Sequence, residues 1–173
     1  MIKSALLYPL AAAINFFSVT ALLIIAGLMG IGELAADIGI VQGALIAVFL
    51  SLSGNARSLI LANSNDGDER NLFYFRLLLL FPAVIAAFLL ATSIVEIPIY
   101  LIIGLMLRKC SEWLAELQLA NREKNNDVHF ANKYVLINTF GFLLLVLMLT
   151  FSWMEFFYFT LYFWALLLAK IRL

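Results

Sequence analysis

Charge is scarce in this chain, and what there is falls in a few places. Asp, Glu, Lys and Arg make up 13 % of 173 residues, against roughly 25 % in a soluble domain. Histidine occurs once, at His129, and cysteine once, at Cys110. A lone cysteine excludes an intramolecular disulfide and a thiolate metal cluster. A lone histidine excludes the HExxH zinc pair. Cys110 reads as a small buried hydrophobe, and His129, in a polar loop, as an ordinary exposed side chain. No acidic residue is expected deep in a span, so a proton relay would lack its usual buried carboxylate. Formal net charge is zero, and no nucleic-acid partner is expected. No catalytic constellation, metal site or cofactor site stands out. The acids of NDGDER, 65–70, share one short loop in which Gly67 reads as a turn.

Hydrophobic residues fill the space that charge leaves. They make up 65 % of the chain, with mean hydropathy +1.03. Charge-free runs cover 4–32, 38–56, 77–95 and 134–154. Such runs reach the roughly 18 residues expected of a transmembrane segment. A soluble fold of this size could not bury that much apolar surface. In lipid, every backbone N–H and C=O needs an internal partner, and the runs are too long for alternating barrel strands. The predicted fold is therefore all-α: an integral membrane bundle of six transmembrane helices forming one domain over 1–173. The helices are placed at 7–29, 37–55, 73–93, 96–118, 132–150 and 153–169. The first run is too long for the roughly 7–15 residues of a signal-peptide core. Pro9 is placed near the start of that helix and Pro98 in the first turn of the fourth.

The charges separate by loop. With the N-terminus in the cytoplasm, the inner segments hold Lys3, Arg57, Arg70, Arg76, Arg108, Lys109, Arg122, Lys124, Lys133, Lys170 and Arg172. The outer loops hold Glu33, Asp37, Glu96 and Glu155, with no basic residue. This is the positive-inside bias, and it puts both termini in the cytoplasm. The third and fourth spans share only Leu77–Leu107, so each needs its charged end to reach the ~20 residues of a crossing. Ile103, Leu107, Cys110, Leu114 and Leu117 step by four and three along one helix face. The helix is expected to leave the membrane between Leu107 and an interfacial Trp113, continuing as a cytoplasmic amphipathic extension, 108–124. Arg108 and Glu112 are one turn apart and can pair.

Four residues are singled out as substrate-binding: Arg57, Arg76, Arg108 and Asn138. Gly54 and Asn55 break the second span just before Arg57 and an apolar LILA run. Guanidinium groups bind phosphate oxygens bidentately. The three arginines lie at inner helix ends and could ring a cytoplasmic mouth; the simpler reading is that they stop and orient helices. Asn15, Gln42, Thr92, Asn138 and Thr139 are the scarce polar residues within spans, suited to bonds between helices. Asn138 is the best placed of them to face a cavity.

SLSGNARSLILAN (51–63), the short third-to-fourth hairpin and RKCSEWLAELQLANREKNN (108–126) together resemble the amino-terminal half of a polysaccharide flippase. The family is the multidrug, oligosaccharidyl-lipid and polysaccharide exporter superfamily. The resemblance implies a multi-pass protein of the inner (plasma) membrane that moves lipid-linked oligosaccharide diphosphates by alternating access between two six-helix lobes. It implies membrane lipids as surroundings, and a second lobe or a homodimer as partner, because one lobe cannot rock alone. Arg57, Arg76 and Arg108 are the positions onto which its phosphate-binding groups carry over. Two other readings stay open. One is a non-catalytic accessory or assembly protein whose charged extension binds a partner. The other is a membrane enzyme acting on lipid-linked phosphates through the acids of 66–69. A polar groove containing an arginine or Asn138 distinguishes the transporter; a bundle packed shut distinguishes the accessory protein. Cysteine-labelling reporters at Ser64, Asn126 and Ile171 are expected to read cytoplasmic, and one at Gly32 outside. A single disagreement overturns the six-span count.

Overall fold

Apolar runs of this length form helices because a helix satisfies its backbone hydrogen bonds within the segment. The computed structural model describes residues 2–62, 66–93 and 95–170, with side chains described for 6–62, 70–93 and 95–169. These residues form seven α-helices and no strand: α1 (Ile2–Leu28), α2 (Gly32–Ser51), α3 (Ala56–Ala62), α4 (Asp66–Thr92), α5 (Ile99–Lys124), α6 (Val128–Thr150) and α7 (Met154–Lys170). The six expected helices are present with shifted ends, and α3 is the addition. Pro9 lies inside α1, not at its start, because the helix already begins at Ile2. Pro98 caps α5. The acids at 66, 68 and 69, with Lys3, Lys170 and Arg172, fall outside the described side chains.

Four helices are long and apolar enough to cross a membrane: Leu6–Leu28, Gly32–Ser51, Arg70–Thr92 and Val128–Thr150. α7 is apolar over its 17 described residues. Phe81, Leu78, Leu136 and Phe159 are each more than two-thirds exposed on the outside of the bundle. Large apolar side chains turned outward on such helices mark a membrane-embedded protein.

α5 occupies the centre and touches each of the other six helices. Its charged half, expected as a projecting extension, is instead the most enclosed part of the fold. Arg108, Lys109, Ser111 and Glu112 are all buried, as are Leu114, Leu117 and Ala120. Trp113 is also buried, edge-on to Phe49 with ring centroids 5.2 Å apart, and so is not an interfacial anchor. Ile103 and Leu107, at the start of the apolar stripe, face outward. The physical reason is position. A helix with neighbours all round has no free polar face, so its charges pair inside the bundle.

The break after α2 falls where the sequence places it. Gly54 (φ +58°) and Asn55 (φ +54°) are consecutive left-handed residues, a backbone state that glycine and asparagine tolerate best. They turn the chain into α3, which buries Ala56 and Ile60 against Leu117 and Ala120 of α5. At the α6–α7 contact, a Cβ on Gly141 would sit 2.1 Å from Cδ1 of the buried Trp164. Gly141→Ala is therefore expected to lower stability by about 1–3 kcal/mol through overpacking. Gly43→Ala, which meets nothing within 4 Å, is expected to raise it by about 0.5–1 kcal/mol. Thermal unfolding of the two variants in one detergent checks the pair.

Candidate functional site

The spacing on α5 builds the centre of the molecule. Arg108 and Lys109 lie four and three residues before Glu112, so both reach the same carboxylate. Lys109 Nζ is 2.5 Å from Glu112 Oε1, and Arg108 Nη1 is 3.7 Å from Oε2. Arg108 is fully buried. Its Nη2 donates to Ser18 Oγ of α1 and to Asn138 Oδ1 of α6, both at 3.1 Å. Its guanidinium lies 4.3 Å from the centre of the Trp164 ring of α7, and Trp164 Nε1 donates to the same Asn138 oxygen at 3.1 Å. One arginine thus ties four helices together.

The depth of this tie follows from helix arithmetic. Ser18, Arg108, Asn138 and Trp164 lie nine to twelve residues from the helix ends at Leu28, Ile99, Thr150 and Met154. At 1.5 Å per residue that is about 14–18 Å in from those ends. The sequence places Arg108 at an inner helix end. The structure encloses it in the bundle instead, held by polar partners from α1, α6 and α7. Glu112, one turn further on, is likewise an acid deep in the bundle, where the sequence suggested none.

Toward the N-terminal end of α1 the polar contacts continue. Asn15 Nδ2 donates to the Glu112 carbonyl at 3.3 Å, and the Tyr134 hydroxyl donates to Asn15 Oδ1. Buried Arg76 pairs with Glu116 at 3.0 Å, donates to the Trp113 carbonyl and to Ser53 Oγ (3.2 Å), and lies over the Trp113 ring. Arg57 of α3 pairs with Glu123 at 2.7 Å, both side chains about a quarter to a third exposed. The Tyr8 hydroxyl donates to the Arg122 carbonyl at 2.8 Å.

Between α1, α2, α3 and α5 lies a cavity of about 340 Å³. Phe16, Phe49 and Trp113 give it apolar walls. Asn15, Ser53, Arg57, Lys109, Glu112 and Glu116 give it polar ones. Its size is at the lower end of small-molecule sites.

The four residues read from the sequence are thereby distributed. Arg57 lines the cavity. Arg76 is buried against Trp113 and Glu116, and Arg108 and Asn138 meet each other in the mid-height tie. The three arginines do not ring one mouth, because each has its own counter-charge on α5: Glu123, Glu116 and Glu112. Sequence reasoning missed Lys109 and Ser18. It assigned Glu112 only as a pairing partner, and Asn15 only as a bond between helices. The available signal was Glu112–Glu116 beside Arg108–Lys109, a charge alternation repeating every turn on a helix that also carries an apolar stripe.

Comparison with known proteins found no matching family model, no matching curated sequence and no matching solved structure. The cavity sets an apolar wall beside paired charges. Glu112→Gln leaves two buried cations facing a neutral amide, and is expected to cost about 3–5 kcal/mol. Glu123→Gln disrupts only a partly exposed pair and is expected to cost less than about 1 kcal/mol. Denaturant titration of the two variants beside the parent checks the contrast.

Proposed function

We propose that this chain is a membrane transport protein, one six-helix lobe of the polysaccharide-flippase type, and that its cavity receives the head of a lipid-linked anionic saccharide. In this reading α1, α2, α4, α5, α6 and α7 all cross the inner (plasma) membrane, with both termini cytoplasmic and α3 at the inner surface. The observation that carries it is the cavity lined by Arg57, Lys109, Glu112 and Glu116 between helices whose outer faces are apolar. A bundle serving only as an accessory is expected to be packed shut at this place. The chemistry is movement rather than bond making, and no cofactor is called for. A lobe of this size works with a second lobe or a second copy, since alternating access needs two bodies. The sequence features that support the family are the break at Gly54–Asn55 before Arg57 and the charged α5.

Reconstitution tests the proposal. The protein, alone or with a co-purified second lobe, is placed in vesicles holding a fluorescent polyprenyl diphosphate-linked sugar. Dithionite is expected to quench the inner-leaflet pool in its presence. Ala13→Trp, which fills the cavity from α1, is expected to abolish that transfer while leaving the helical content unchanged. Equal transfer by parent and variant excludes the cavity as the route. No transfer under any pairing favours the accessory role.

A further inference from the structure

Lys109 and Arg108 share one carboxylate unequally, and only one of the two cations lines the cavity. Lys109 lines it, lies 5.5 Å from the centre of the Phe16 ring and holds Glu112 Oε1 at 2.5 Å. Arg108 is sealed behind the wall, fully buried, with its Nη1 3.7 Å from Glu112 Oε2. Neither that Nη1 nor that Oε2 has a hydrogen-bond partner in the structure. A buried ion pair ordinarily resists an incoming ligand, because the partner left behind becomes an uncompensated charge. Here the partner left behind already has a second cation within reach.

We infer that Lys109 is a detachable cation, the residue that meets an anionic phosphate head in the cavity, and that Arg108 is the reserve counter-ion that takes over Glu112 when Lys109 leaves. The exchange moves side chains only. Lys109 Nζ turns from Glu112 Oε1 to a phosphate oxygen. The carboxylate closes the 3.7 Å gap to Arg108 Nη1, and both unpartnered atoms gain their hydrogen bond. No proton or covalent bond changes hands. Ser18, Asn138 and Trp164 hold Arg108 from the far side, so it stays in place to receive the carboxylate. Asn15, bonded to the Glu112 carbonyl, holds the α5 backbone at the same level. Arg57 is less suited to the role. Its partner Glu123 has no second cation among the described ion pairs. The inference deepens the transport reading and rests on its cavity.

The test is binding to the full-length protein in a neutral detergent, read by native mass spectrometry, with octyl phosphate, octyl glucoside and inorganic phosphate as probes. Octyl phosphate is expected to bind the parent more tightly than octyl glucoside, and Lys109→Met to weaken it by about 10- to 100-fold, the loss of one charge-assisted hydrogen bond. Lys109→Arg is expected to restore most of the affinity. Lys109→Met is also expected to fold, with a smaller loss of thermal stability than Glu112→Gln, because Arg108 takes over the carboxylate. A Lys109→Met variant that is as unstable as Glu112→Gln, or fails to fold, overturns the hand-over. Octyl phosphate binding that ignores Lys109→Met overturns the residue assignment while leaving the cavity reading intact. Failure of octyl phosphate, octyl glucoside and inorganic phosphate alike to bind the parent defeats the cavity reading itself, and the inference with it. Lys109-dependent binding of inorganic phosphate alone identifies a free anion as the ligand; dependence seen only with octyl phosphate identifies a lipid head.

Discussion

Burying a guanidinium away from solvent is costly unless polar partners answer it, and the partners of Arg108 come from three other helices. Ser18, Asn138 and Trp164 must all reach it at once. In an apolar surrounding, helix association has little hydrophobic force behind it and depends on packing and interhelical hydrogen bonds. One buried cation therefore does what a water-driven core does in a soluble domain. It fixes which faces of α1, α6 and α7 turn toward α5. Mid-height polar clusters are costly to assemble and intolerant of register slips, because a shift of one residue on any helix removes a donor or an acceptor.

The same constraint explains the distribution of charge on α5. Once that helix is central, each of its acids must be answered from within the bundle. Glu112 is answered from α5 itself, Glu116 by Arg76 of α4 and Glu123 by Arg57 of α3. The ladder descends from a sealed pair to a partly exposed one. The cavity opens beside its middle rungs, where Lys109, Glu112 and Glu116 are enclosed by aromatic walls yet border empty space. The cavity lining and the scaffold thus share side chains, and the sealed and cavity-lining members, Arg108 and Lys109, differ by a single step along α5.

How much of this could be read from the sequence depends on the range of the signal. The helices were legible because apolar runs and breakers are local: Gly54–Asn55 marks the end of α2, and the charge-free stretches mark α1, α2, α4 and α6. The pairing of Arg108 with Glu112 was legible because it spans one helical turn. The placement of 108–120 was not. An amphipathic helix with alternating charge has the same pattern whether it projects into water or lies at the centre of a polar-lined bundle. Only the contacts with Ser18, Asn138 and Trp164, 90, 30 and 56 positions away, distinguish the two. Asn138 was selected because polar residues are rare in its surroundings. Its partner could not be named, since the sequence reads Arg108 as a residue at an inner helix end that pairs with Glu112 or meets a phosphate.

The close approach at Gly141 carries a consequence for movement within the bundle. The Trp164 ring of α7 lies so near the α6 backbone that no Cβ fits between them, and its Nε1 is bonded to Asn138, three residues earlier on α6. Held by backbone at one point and by a hydrogen bond at the other, the ring cannot slide along α6 without losing both. α6 and α7 are thereby coupled as one rigid pair, so any rearrangement of the bundle carries the two together.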